Sequence, residues 1–126
     1  EYNSDDLQIE WKKKINQFKI VKSDFKDFSD VFDSLIQLTE FISESDFALR
    51  LFPGTELSEL RISPVKDHRI ILEKIMRIHC TQNGMGPFAI TIVHDGVTED
   101  DITFAEKNLI NPFLNNIQRF EEMKYQ

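Results

Sequence analysis

The run of residues 88–93, FAITIV, has the strongest strand pattern in the chain. Every member except Ala89 is β-branched or aromatic, and no charged side chain interrupts the run. A continuous apolar run of this length predicts a strand that is buried on both faces inside a sheet. Turn-forming residues at 83–87 and 95–96 flank it. We therefore expect the rest of the chain to pack around this strand.

Two N-terminal segments repeat apolar residues every three or four positions, which predicts amphipathic helices. The first begins at the capping residues Asp5 and Asp6, and its apolar stripe consists of Leu7, Trp11, Ile15 and Phe18. We expect it to end near Lys22, although residues 18–22 also fit a short strand. The second begins at Ser23 or Ser29, and its broad stripe consists of Phe25, Phe28, Val31, Phe32, Leu35, Leu38, Phe41 and Ile42.

The middle of the chain predicts a strand, a turn and two helices. Residues 47–52 alternate as a strand does, and Pro53 with Gly54 suits a type II turn. A short helix is expected over residues 55–60, with an extended segment over 60–63 as the alternative. Asp67 is the expected cap of a clear helix, whose apolar face consists of Ile71, Leu72, Ile75, Met76, Ile78 and His79.

The C-terminal third predicts a further helical region. Thr98 and Asp101 have the spacing of a capping box. The apolar face that follows consists of Ile102, Ala105, Leu109, Phe113, Ile117 and Phe120. Because Pro112 interrupts this face, we expect either one kinked helix or two helices that meet at Asn111.

Together these patterns predict an α+β fold, with four to five helices packed on a small two- to three-stranded sheet. A length of 126 residues suits a single globular domain, residues 1–126. Because the chain begins at Glu1 and not at Met, we expect it to have been excised or trimmed from a longer protein. No apolar run approaches a membrane span and no signal peptide is evident, so no membrane association is expected.

Acidic residues outnumber basic ones and are separated from them along the chain. The net charge of −7 disfavours nucleic acid as a partner, because phosphates repel an acidic surface. Residues 27–46 hold six acids and no Lys or Arg, whereas residues 11–26 hold six Lys and one acid. This segregation suits two complementary solvated faces, or an acidic face that docks a basic protein. The candidate partner-binding residues are Asp30, Asp33, Glu40, Glu44, Glu99, Asp100 and Asp101.

Few residues suit metal binding or nucleophilic catalysis. The polar candidates in the predicted third helix are His68, His79 and Cys80, of which His79 is expected to face the core with a hydrogen-bond partner. No His or Cys recurs at the spacing of a zinc site, so we expect neither a metal nor a cofactor. A single cysteine excludes an internal disulfide and fits a reducing compartment, which makes the cytoplasm the expected location.

His94 and Asp95 are the best-placed candidates for ligand binding or chemistry. Ligands of open sheets often lie at strand ends beside helix N-termini. The simpler interpretation is a turn at Asp95 and Gly96, followed by acids that complement a helix dipole. The loop at 84–86 contains two glycines but is not a dinucleotide-binding loop, since it precedes a strand instead of following one.

Three functions remain open. The preferred one is a non-catalytic interaction or regulatory domain that binds a basic protein, in its sharpest form a bacterial immunity or antitoxin-like inhibitor. The second is a small-ligand sensor in which some of the eleven Phe residues enclose an apolar pocket. The third is an enzyme that uses His94 and Asp95 beside the glycine loop, which requires His94 to be exposed in a cleft.

Overall fold

The computed structural model describes residues 4–64 and 74–123 of the chain. In order, the elements are α1 (Ser4–Asp24), α2 (Ser29–Ser43), β1 (Phe52–Glu56), β2 (Glu59–Ser63), β3 (Lys74–Cys80), the single turn α3 (Thr81–Gly84), β4 (Phe88–His94), β5 (Val97–Phe104) and α4 (Ile110–Glu122). Two 3₁₀ turns, Lys26–Phe28 and Asp46–Leu49, flank α2. The predicted α+β class is confirmed, but within the described ranges the sheet has five strands where two to three were expected.

The sheet is an antiparallel meander in which each strand lies beside its predecessor, in the order β1-β2-β3-β4-β5. The apolar run at 88–93 forms β4 as predicted, and six of the seven residues of β4 are buried. Asp95 and Gly96 connect β4 to β5, and both have the positive φ that a type I′ hairpin turn requires. Since β4 pairs with β3 on one side and β5 on the other, it is an interior strand.

Helices cover one face of the sheet and form the core with it. The strand register aligns Leu60, Ile78 and Ile90 in one row on this face. The same buried cluster includes, from the helices, Trp11, Phe18, Leu35, Leu38, Phe113 and Phe120. The fold therefore has two layers, one of helices and one of sheet. The other face of the sheet bears mainly polar side chains, among them Glu59, Arg61, Arg77, His79, Thr91 and Asp101.

The two N-terminal helices follow the predicted apolar stripes. α1 buries its stripe and extends to Asp24, so the short strand considered for residues 18–22 does not form. α2 begins at Ser29, the second of the two expected starting points, and packs against α1. Among the residues that the structure describes, no helix combines the length and the apolar character needed to cross a bilayer.

The helix predicted to begin at Asp67 is wrong over its second half, where the chain forms strand β3. Asp67 itself and the first part of that helix lie outside the described residues. Ile75, Met76 and Ile78 resemble a helical face because β3 buries side chains on both sides of the sheet. A short strand that is buried on both faces cannot be separated from a helix by periodicity alone.

Between α2 and β2, the predicted order of strand, turn and helix is also wrong. A 3₁₀ turn replaces much of the strand expected at residues 47–52, because the two buried residues there are three positions apart, as in a helical turn. Pro53 and Gly54 lie inside β1, where a proline is tolerated because β1 is an edge strand. The segment 55–60 contains a hairpin turn and no helix, and the extended alternative for 60–63 is confirmed by β2.

The helix predicted to begin at Thr98 is wrong, because the turn at Asp95 returns the chain alongside β4 as β5. The Val, Thr, Ile and Phe residues of this segment favour a strand. Neither alternative for Pro112 holds as stated, because the strand β5, and not a helix, precedes this region. One helix does begin nearby, since α4 starts at Ile110 after the cap Leu109 and holds the proline in its first turn. A proline there removes no hydrogen bond of the helix.

Trp11 joins α1 to the segment that leads into β1. Its side chain is 0% exposed, and Nε1 donates a hydrogen bond of 2.9 Å to the carbonyl oxygen of Leu51. A buried indole N–H needs such a partner, and the carbonyl oxygen needs the donor in turn. This contact therefore helps to hold α1, whose apolar stripe is also buried in the core, against the entry to the sheet.

We predict that Trp11→Phe lowers the free energy of unfolding by about 1–3 kcal/mol, because it leaves the buried oxygen of Leu51 without a donor. Urea unfolding followed by far-ultraviolet circular dichroism measures the change, since the variant lacks the single tryptophan of the chain. Ile9→Ala is the matched control, because Ile9 is an exposed apolar residue of the same helix and its loss should change stability by less than about 0.5 kcal/mol. Equal stabilities for Trp11→Phe and the native chain would contradict the prediction.

Candidate functional site

The exposed side of α2 carries a line of acidic side chains. One side of the helix is committed to the core, with Leu35, Leu38 and Ile42 fully buried, so the opposite side faces solvent. The exposed acids on this side are Asp30, Asp33 and Glu40 of α2 and Glu44 at its C-cap, which we call the acidic stripe. Spacings of three, seven and four keep them on one helix face, over about 21 Å at 1.5 Å per residue.

Most of the acidic stripe is electrostatically unpaired. α2 itself contains no Lys or Arg. Asp33 accepts a hydrogen bond of 2.5 Å from Lys22 of α1. The side chains of Asp30, Glu40 and Glu44 form no ion pair with any residue in ranges 4–64 and 74–123. The acidic stripe therefore presents negative charge that a positively charged partner can neutralise.

The other three predicted acids do not form a comparable surface. Glu99, Asp100 and Asp101 lie on β5 and not at the expected helix N-terminus. Asp100 turns toward α4 and pairs with Arg119 at 2.6 Å, whereas Asp101 accepts a hydrogen bond from Thr91 on the opposite face. Glu99 occupies a β-bulge between Thr98 and Asp100. The structure thus aligns the four acids of the acidic stripe and separates the three acids of β5.

An apolar groove opens at the N-terminal end of α2. It holds about 240 Å³ and is lined chiefly by Phe25, Phe28, Val31, Phe32, Leu57 and Gly84. These residues come from the segment before α2, from α2 itself, from the β1–β2 hairpin tip and from the β3–β4 loop. Phe25 is 46% exposed and Leu57 is 65% exposed, so the apolar groove presents large apolar side chains to solvent.

A second, more polar hollow adjoins the apolar groove. The two share Phe28, Val31 and Gly84, and the second, of about 270 Å³, is also bordered by Asp27 and Asp30. Both volumes are below the roughly 300–1,000 Å³ that is usual for small-molecule sites. These two hollows therefore suit protruding protein side chains better than a metabolite-sized ligand.

The β3–β4 loop is held closely against the start of α2. Gly84 has a φ of +89°, and a Cβ added there would lie 2.9 Å from the Phe28 ring, so only glycine allows this approach. Cys80 Sγ donates a hydrogen bond of 3.0 Å to the carbonyl oxygen of Gly86. Burial raises the pKa of the Cys80 thiol and outweighs the opposing effect of that hydrogen bond. The thiol therefore stays protonated and is a structural residue, not an activated nucleophile.

His79 belongs to a polar network on the face of the sheet opposite the helices, so it does not face the core as predicted. The predicted hydrogen-bond partner is present. Thr91 Oγ1 donates to Asp101 Oδ1 at 3.0 Å and lies 3.0 Å from His79 Nε2. Because a hydroxyl has one proton, His79 must donate through Nε2–H. A nucleophilic hydroxyl would instead donate to the histidine, so these three side chains do not form a catalytic triad.

Glu59 joins two arginines beside this network. Its Oε1 accepts a hydrogen bond of 2.7 Å from Arg77, and its Oε2 accepts one from Arg61. Burial raises the pKa of Glu59, but the hydrogen bonds from both arginines outweigh burial and hold the pKa below 4.5. Burial, assisted by the charge of Arg77, lowers the pKa of His79 below 6.5, so its imidazole is neutral at pH 7. The register of neighbouring strands brings these side chains together, so no local pattern in the sequence predicts the network.

His94 and Asp95 do not meet the glycine loop. His94 is 9% exposed, and its Nε2 lies 3.9 Å from Asp95 Oδ2, too far for a hydrogen bond. The loop lies before β4 and His94 ends β4, about 20 Å away at 3.3 Å per residue. His68 lies outside the described residues. Within the part of the chain that the structure describes, no three His, Cys, Asp or Glu residues are grouped as metal ligands would be.

We predict that Glu59→Gln lowers the free energy of unfolding by about 1–3 kcal/mol at pH 7, because it removes charge-assisted hydrogen bonds to two arginines. A carboxylate whose pKa is lower in the folded state stabilises the fold above its unfolded pKa, and this contribution disappears as pH falls through the folded pKa. The difference between native chain and variant should therefore shrink below about pH 4.5. Urea unfolding between pH 7 and pH 3 measures it, and a difference that stays constant would contradict the assignment.

Comparisons with known proteins add no assignment for these surfaces. The chain matches no protein-family model, no curated protein and no solved structure. A functional interpretation of the acidic stripe and the apolar groove therefore rests on their geometry, exposure and charge.

Proposed function

We propose that this chain is a non-catalytic interaction domain that binds a protein with a basic surface, and that the acidic stripe makes the contact. In its sharpest form it is a bacterial immunity or antitoxin-like inhibitor whose target is a basic protein. The cytoplasm is the proposed location, which the single free cysteine Cys80 supports.

The observation that carries the proposal is the alignment of the acidic stripe. Four acids share the exposed face of one helix over about 21 Å, and three of them have no ion-pair partner among the described residues. The helix itself is anchored by its buried face, so the carboxylates are displayed on a firm support. A rigid row of like charges is complementary to a basic surface without any change in the fold.

The catalytic alternative receives less support from the geometry. His94 is buried, Cys80 holds a protonated thiol, and the hydroxyl of Thr91 already donates to a carboxylate. Cys80 borders the second hollow, but its thiol donates to a carbonyl oxygen and not to a base, whereas His94 and Thr91 are buried. Nucleophilic or acid–base catalysis needs a base and an open cleft together. Binding of a basic protein requires only the exposed negative charge of the acidic stripe.

We predict that D30N/E40Q/E44Q weakens binding of the partner about 3- to 100-fold. Each exposed ion pair contributes about 0.2–1 kcal/mol, and about 1.4 kcal/mol corresponds to a tenfold change in affinity. The immobilised domain is used to capture proteins from a lysate of the source organism. The protein retained is then titrated against the native and variant domains at about 0.05 and 0.5 M salt, since screening weakens exposed charge pairs.

The matched control is D5N/E99Q/E122Q, which removes the same number of exposed acids from α1, β5 and α4. This control should retain the captured protein with native affinity, and its complex should dissociate at high salt as the native complex does. Full retention by D30N/E40Q/E44Q, or equal weakening by both triple variants, would overturn the assignment of the acidic stripe.

A further inference from the structure

Three large apolar side chains are exposed around the N-terminal end of α2. Phe25 and Leu57 line the apolar groove, and Met85, which is 83% exposed, borders the adjoining hollow. Single exposed apolar residues are common on protein surfaces, but a cluster around a concavity marks an interaction site. Met and Phe are also enriched in the buried centres of protein interfaces.

The apolar groove is supported from below and is therefore preformed. Phe32 is buried in the core, and Phe28 packs against the same cluster. The β3–β4 loop is fixed by Thr81, whose amide and hydroxyl both donate to the carbonyl oxygen of Pro87, at 2.9 and 2.7 Å. Gly84 rests on the Phe28 ring. A partner side chain would consequently meet a surface that needs little ordering on binding.

Leu57 occupies a backbone conformation that leucine does not favour. Its φ is +43° at the tip of the two-residue β1–β2 hairpin, where Gly, Asn or Asp is the usual residue. The leucine adds nothing to the core, because its side chain points to solvent and into the apolar groove. Strain retained for an exposed apolar side chain is expected where that side chain serves binding.

The charges beside the apolar groove indicate what occupies it. Asp27 and Asp30 border the adjoining hollow, and Asp30 is also the first member of the acidic stripe. Glu106 and Lys107, which also border this hollow, carry opposite charges and add no net charge to it. An occupant that bridges both hollows thus meets apolar side chains and carboxylates together, which suits an apolar side chain flanked by cations.

We propose that the apolar groove receives one bulky apolar side chain of the protein partner, from a segment in which Lys or Arg residues flank that side chain and face Asp27 and Asp30. The inference rests on the proposed function, since it names the anchor of the same partner. Hot spots of interfaces are commonly single large side chains in such concavities, surrounded by polar contacts. The acidic stripe then supplies the long-range attraction and the apolar groove supplies the anchor.

The test uses three fluorescein-labelled peptides of one length. The first has a central Trp between two pairs of Lys, the second replaces the Trp by Ser, and the third replaces each Lys by Glu. Fluorescence anisotropy gives the affinity, and amide chemical shifts of the ¹⁵N-labelled domain locate the contact. The first peptide should bind at least tenfold more tightly than either of the others, with shifts concentrated at Phe28, Leu57 and Gly84.

The variant L57N/M85Q removes the two most exposed apolar side chains of this cluster. Asn accepts a positive φ and Met85 is largely in solvent, so the fold should be unaffected. Circular dichroism and the melting temperature check this. We predict about a tenfold loss of affinity for the Trp peptide and no change for the Ser peptide, whereas E40Q/E44Q should change the affinity for neither by more than about threefold.

Several outcomes would overturn the inference, and they are separable from failure of the acidic stripe. Three results would each contradict an apolar anchor in the groove and would leave the proposed function unaffected. They are equal binding of the Trp and Ser peptides, no chemical-shift changes at the groove at about 1 mM Trp peptide, and native affinity of L57N/M85Q for the Trp peptide. Equal binding of the Lys-flanked and Glu-flanked peptides would contradict the proposal that the partner is basic. Dimerisation of the domain in sedimentation that L57N/M85Q abolishes would identify a second copy as the occupant.

Discussion

Burial of one face of the sheet beneath the helices determines what the rest of the molecule can present. The row formed by Leu60, Ile78 and Ile90 needs an apolar cover, and α2 supplies it with the side that carries Leu35 and Leu38. Once that side is committed, the helical period sends the intervening residues outward. Burial of one side of α2 in the core thus determines that the acidic stripe faces solvent.

Periodicity predicted the elements that are long or uniformly apolar, and it failed for the short ones. α1 and α2 have enough turns for a stripe to stand out, and β4 has no polar interruption. β3 buries residues on both faces and so lacks the alternation expected of a strand. For β5, the spacing of Thr98 and Asp101 predicted a helix. The hairpin turn formed by Asp95 and Gly96 directly before it is the stronger signal, and it predicts a strand instead.

The candidate site was predictable only where it lies on one element. The acids of α2 are close in sequence, so a helical repeat aligns them without tertiary knowledge. The apolar groove combines Phe28, Leu57 and Gly84. The hairpin that carries Leu57 was predicted as a helix, and the loop that carries Gly84 was predicted as a loop but with no indication that it packs against α2. The same applies to the network of His79, Thr91 and Asp101, since strand register creates it. Contacts between distant segments carry no periodic signature.

Both margins of the sheet are unsuited to the addition of another strand. In β1, Pro53 lacks the amide proton that an incoming backbone would need. In β5, the bulge at Glu99 interrupts the regular strand, which disfavours pairing with an incoming strand. A domain that exposes Phe25, Leu57 and Met85 has a continual risk of non-specific association. Because the described edge strands disfavour pairing with another strand, such encounters are less able to grow into a cross-β aggregate, and the exposed apolar residues carry a lower risk.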